Sequence, residues 1–111
     1  MKYTIFQLPL SDKNIFEGSP ANIDFDKVSI YNYVPIWQDN ILDKPESDES
    51  LLEICEGLSY KFNVDIPENF AGHSMSTSDV IAFSQLEGGA RRAFFCDTFG
   101  FEELHHFFDR K

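Results

Sequence analysis

Hydrophobic and polar positions along the 111-residue chain change period several times. The first apolar run, YTIFQL at 3–8, alternates and is rich in β-branched and aromatic side chains, so it predicts a strand that Pro9 ends. Residues 9–27 carry Gly18, Pro20 and several Asn and Asp, the composition of an irregular link with at most a short helix. VSIYNYVPIW at 28–37 again reads as a strand. Pro35 cannot donate to a ladder, which restricts this strand to a sheet edge or a bend.

The period then becomes helical. DKPESDES at 43–50 reads as a turn, and Ser50 with Glu53 has the spacing of a capping box, which predicts a helix starting there. Leu51, Cys55, Leu58 and Phe62 recur at i, i+4, i+7 and i+11, an apolar stripe with Glu53, Glu56 and Tyr60 on the opposite side. Pro67 and nearby Asn and Asp close the helix. Two apolar runs follow, DVIAFSQL at 79–86 and ARRAFFCD at 90–97, joined through Gly88 and Gly89, which can take the positive φ of a hairpin turn. In FEELHHFFDR, Phe101, Leu104, Phe107 and Phe108 fall on one side of an expected short C-terminal helix docked on the sheet. The order β–link–β–α–β–β–α predicts one α+β domain over residues 1–111. Its sheet is mostly antiparallel, with the central helix and the short C-terminal helix packed on it.

Composition narrows the class. With 42% hydrophobic and 15% aromatic residues, twelve of them Phe, the chain can bury a core without metals or disulfides. No apolar run is long enough to span a membrane, and the N-terminus is too polar for a signal peptide. Cys55 and Cys96 form no CxxC and sit in apolar runs, which fits buried thiols in the reducing cytoplasm. Nineteen acids against nine bases give a net charge of −10, which disfavours direct binding of nucleic acid. The acids concentrate in residues 39–56, where seven face one Lys. Such a run is a solvated face or an anionic patch aimed at a basic partner, and Glu46, Asp48, Glu49, Glu53 and Glu56 are the candidate contact residues.

The chemistry-bearing stretches point away from catalysis. GHSMSTSDV at 72–80 offers Ser74, Ser76 or Ser78 beside His73, but a nucleophile elbow needs Gly where Ser76 stands. Hydroxyl residues and Asp before a strand are also what backbone-capping turns use. CDTFGF at 96–101 interrupts the kinase D-F-G with Thr98, and no Gly-rich phosphate loop accompanies it. Asp97 and Gly100 there suit a turn. His73, Cys96, His105 and His106 supply donors for a structural zinc site if the fold converges them, with Cys55 as a further donor. On the expected last helix Glu102, His106 and Asp109 would share a face, and His105 would sit one turn from Asp109. No HExxH or CxxC spacing accompanies these residues.

Together these segments resemble the YodL-like domain family. The resemblance runs over YTIFQL, IYNYVPIW, the stretch from Leu51 to Phe83, and FFCDTFGFEEL, and departs over the short acidic link at 9–27. Its specific part is carried by Pro67, Phe70, Gly72, His73, Ser74, Ser76, Ser78, Asp79, Asp97, Thr98, Phe99, Gly100 and Phe101. The resemblance implies no catalytic activity. It implies small proteins of mobile elements and plasmids in Gram-positive bacteria, acting against host defence, assisting transfer of the element, or modulating a cytoskeletal protein. The expectation is a non-enzymatic, anti-CRISPR-type inhibitor that occludes a basic surface of a Cas9-type nuclease. A regulator of a bacterial filament protein, anchored by Trp37 or exposed Phe side chains, is the alternative.

Overall fold

The computed structural model describes residues 1–8, 28–41, 47–68, 70, 72, 75, 77–84, 86, 89–97 and 100–109. The 9–27 link, Glu46, His73, Ser74, Ser76, Gly88, Thr98 and Phe99 lie outside them, as does the side chain of Asp48.

Alternation in the first run produces strand β1 (Lys2–Gln7). The second strand-like run divides. Ser29, whose hydroxyl accepts from the Tyr31 N–H, caps a single 3-10 turn at Ile30–Asn32, and β2 (Val34–Asn40) follows. As Pro35 requires, β2 is an edge strand, hydrogen-bonded to β1 alone. Pairing steps from Ile5 opposite Trp37 to Phe6 opposite Pro35, so Ile36 is an extra residue. This bulge lets the consecutive Ile36 and Trp37 pack on the same core cluster.

Helix α1 (Asp48–Val64) starts one residue after Ser47, whose hydroxyl accepts from the Ser50 N–H at 3.2 Å. The capping serine is therefore Ser47 and not Ser50. The first of the two closely spaced serines wins because its backbone is extended (φ −155°) while Ser50 already lies inside the helix. The apolar stripe is as expected: Leu51, Cys55, Leu58 and Phe62 are all buried.

Strands β3 (Val80–Ser84) and β4 (Arg92–Asp97) form the expected antiparallel hairpin. Gly89 takes φ +75° and donates its N–H to the Leu86 carbonyl at 2.8 Å. The expected C-terminal helix is absent. Residues Gly100–Leu104 form β5, antiparallel to β4, with His105–Phe108 bending away after it. Glu and Leu favour helices, but pairing with β4 overrides that weak preference. Leu104 pairs with Ala93 and Phe101 with Cys96, so these two apolar residues point to opposite faces of the sheet. Their helix-like spacing came from a strand followed by a turn.

The sheet order is β2-β1-β3-β4-β5, antiparallel throughout. One face packs Tyr3, Ile5, Ile81, Phe83 and Phe94 under α1. The other packs Phe6, Val80, Ala82, Ala93, Phe95 and Leu104 under Leu8, Val28, Tyr33 and Phe107. Phe62 is the hub of the helix face. It is fully buried, with ring centroids of Phe70, Trp37 and Tyr3 at 5.0, 5.8 and 6.5 Å. Phe62→Ala should cost about 3–5 kcal/mol in urea unfolding. Replacing Tyr60, two residues earlier on the outer surface, should change stability by less than about 0.5 kcal/mol.

Candidate functional site

The GHSMSTSDV motif ends at the junction of β1, β3 and β4. Asp79 is 2% exposed and accepts a hydrogen bond from Gln7 Nε2 at 3.1 Å. Gln7 is itself 3% exposed, a polar residue on the core-facing side of β1. Gly72 closes over this pair. A Cβ there would lie 2.2 Å from Gln7 Oε1 and 2.3 Å from Ile36 Cδ1, so only glycine fits without displacing both. Ser78 holds a left-handed backbone, φ +84°, unusual for a residue other than glycine. Three hydrogen bonds fix it and its neighbour. Ser78 N–H donates to the Cys96 carbonyl at 2.9 Å, Cys96 N–H to the Asp79 carbonyl at 2.8 Å, and the Tyr33 hydroxyl to the Ser78 carbonyl at 2.6 Å. Burial, and then the Asp79 carboxylate, push the Tyr33 phenol far above its ordinary range, so it stays a donor.

Ser78 and Asp79 thus tie the strand ends together, with the Asp79 side chain turned inward. Asp79→Ala should cost about 2–3 kcal/mol in unfolding free energy, because it strands the buried Gln7 amide. Gln7 and Tyr33 escaped the sequence reading. The one signal for Gln7 was its position two residues after Ile5, on the inward side of an alternating strand.

The expected metal ligands are dispersed. Cys96 pairs with Phe101 near the hairpin end of β4 and β5, whereas His105 and His106 follow Leu104, which pairs with Ala93. Three residues of strand, about 10 Å, separate the two positions. Both histidines are exposed, and His106 Nδ1 meets Asp109 Oδ2 at 2.7 Å, an i,i+3 pair within a turn. The face expected to unite Glu102, His106 and Asp109 is not formed, because Glu102 lies in β5. Among the described residues no group of three His, Cys, Asp or Glu is placed to hold a metal ion. His73, the fourth expected ligand, is outside them.

Both thiols are free. Burial pushes Cys96 up to about 11, with Asp79 and Asp97 adding to the rise. Burial also pushes Cys55 up strongly, reinforced by Cys96 and Glu56 and only partly opposed by Arg92. Thiols held protonated in this way are poor nucleophiles. The unfolded chain releases these protons first, so the thiols' contribution to stability should be fully present below their ordinary value near 9 and be lost as pH rises from there through about 11. Urea midpoints under reducing conditions measure this. Cys55→Ala with Cys96→Ala should flatten the lower part of the decline.

The acidic residues take the opposite disposition. Glu49, Glu53 and Glu56 are exposed and recur at i, i+4 and i+7, so they form one outward stripe of α1. Tyr60 extends it at i+11 and is 68% exposed; Val64, one turn further and 65% exposed, carries it to the helix end, and Ile66 just beyond the helix is also exposed. Trp37 is no surface anchor: it is half-buried against Phe62 and Phe70, and its Nε1 donates to the Tyr3 hydroxyl at 3.2 Å. No Phe among the described residues is exposed; the large exposed apolar side chains are Tyr31, Val34, Tyr60, Val64 and Ile66.

Among the described residues no helix is long and apolar enough to cross a membrane. No curated protein and no solved structure gives a match to the chain. The family model for the YodL-like domain matches residues 2–107, which takes in every strand and the helix. The chain belongs to the YodL-like domain family.

Proposed function

We propose that this protein is a non-enzymatic binding protein of the cytoplasm that presents the outer face of α1 to a basic protein surface. The observation that carries this reading is the stripe Glu49, Glu53, Glu56 and Tyr60, exposed along most of the helix while Met75 and Asp79 of the motif are buried inside the fold. Three carboxylates in line steer association with a positive groove, and an exposed aromatic at the end of the stripe offers a contact that excludes water. Glu46 and Asp48 precede the stripe in sequence and belong to the same proposed contact.

The target class with the required chemistry is a channel built for nucleic acid. A Cas9-type nuclease holds its RNA–DNA heteroduplex in such a positive channel. Occupying it would block loading of target DNA by occlusion, with no turnover, which is the action of an anti-CRISPR-type inhibitor. The proposed partner is therefore the nuclease itself and not DNA or RNA, which a net charge of −10 repels. Two free thiols support the cytoplasmic setting.

A second reading rests on Tyr60, Val64 and Ile66, which prolong the same surface with apolar side chains. It takes the partner to be a bacterial filament protein bound mainly by apolar contact, and Trp37, now accounted for in the core, drops out of it.

Affinity capture with a Cas9-type nuclease, at low and high salt, separates the readings. The first expects capture that weakens with salt, and a loss of affinity of at least about tenfold when Glu49, Glu53 and Glu56 are together changed to Lys. Unchanged affinity in the reversed variant would remove the acidic stripe from the account. Retention of a filament protein in high salt, lost on Tyr60→Ala, would favour the second reading.

A further inference from the structure

The acidic balance of the chain hides one local exception. Four Lys or Arg occur among the described residues, Lys2, Lys61, Arg91 and Arg92. Two of them line a single half-open cleft of about 300 Å3, with Glu103, Leu104, His105, Phe108 and Asp109. The cleft lies where β4 begins, β5 ends and the 105–109 turn folds back, away from the motif junction at the other end of these strands.

Its walls are fixed by contacts of different kinds. Arg92 reaches across the ladder to Glu103 with two charge-assisted hydrogen bonds, Nε to Oε2 at 2.8 Å and Nη2 to Oε1 at 2.5 Å. That fork-to-carboxylate geometry commits both partners to one another. The turn is held from below by Phe107, which is fully buried and whose carbonyl accepts the Ile30 N–H at 2.9 Å. Phe108 packs edge-on against it at 5.2 Å. Asp109 is paired with His106.

Arg91 differs from all of these. Its guanidinium carbon lies 4.4 Å from the centre of the Phe108 ring, and among the described residues it meets no carboxylate. This cation–π contact restrains the guanidinium without using its N–H groups in an ion pair. Arg91 is thus a pre-positioned donor in the wall of a cleft at the lower limit of small-ligand sites. Because the neighbouring carboxylates of Glu103 and Asp109 repel extended polyanions, the occupant must be compact.

We propose that this cleft binds a small oxyanion, a carboxylate or a phosphate group, through the guanidinium edge of Arg91, with His105 as a further wall donor. The site is separate from the outer face of α1 and independent of the function proposed for it.

Titration of the isotopically labelled chain with inorganic phosphate and, separately, with succinate tests this, at constant low ionic strength and with amide shifts as the readout. The expected result is saturable shifts at Arg91, His105 and Phe108 with at least one of the two anions, and which anion saturates identifies the group. Arg91→Gln should weaken that binding about tenfold, whereas Lys61→Gln, a charge removed elsewhere, should leave it unchanged. Arg91→Lys should also weaken it, since it keeps charge without the fork. Saturation by neither anion, equal binding by Arg91→Gln, or an equal loss in Lys61→Gln would each overturn the proposal.

Discussion

Strand β3 has no solvent side: Val80, Ile81, Ala82 and Phe83 are all buried, alternately under α1 and under the Tyr33–Phe107 layer. Covered on both faces, this central strand is closed to water at its N-terminal end. The polar residue at its N-terminal end, Asp79, therefore needs a protein partner, and Gln7 on the neighbouring strand supplies one. That requirement sets much of the rest. Gln7 must face inward, Gly72 must leave room for its amide, and Ser78 must turn through φ +84° to carry the chain into the strand. The Tyr33 hydroxyl then secures Ser78 while its ring packs against Phe107 at 5.6 Å, so the same residue joins the buried polar junction to the second core layer.

This constraint explains why the most distinctive stretch of the sequence looks chemical without forming an exposed site among its described residues. A Ser-rich loop ending in Asp is a sensible place to look for a nucleophile. Here the Asp79 carboxylate goes to one buried amide, and the backbone groups of Ser78 and Asp79 go to Cys96 and Tyr33. The outer face of α1, by contrast, is exposed among the described residues, and its composition is free of the packing demands that fix Asp79 and Gln7. Division of the chain into an inward motif and an outward helix face is what makes a binding role the best-supported reading.

Much of this was legible in the sequence, and the exceptions have physical causes. The stripe Leu51–Cys55–Leu58–Phe62 and the edge position of β2 followed from periodicity and from the missing N–H of Pro35. The C-terminal helix did not form because FEEL serves two faces of a sheet, a demand visible only once β4 is placed beside it. The helix cap moved to Ser47 because two serines within four residues offered more than one start, and extended backbone decided between them. The dispersal of Cys96 from His105 and His106 is a consequence of the same strand, which puts about three residues of rise between them. The cleft at Arg91 and Phe108 had no sequence signal, since it depends on the turn that replaced the helix.

The central claim is that stability and recognition reside in separate residues. A paired alanine scan of the described positions, reading urea unfolding and nuclease binding on the same variants, tests it most directly. The account predicts two sets with little overlap: Gln7, Tyr33 and Asp79 variants lose stability yet bind when folded, while Glu49, Glu53, Glu56 and Tyr60 variants keep stability and lose binding. A stable, folded Asp79 or Gln7 variant that no longer binds would contradict it.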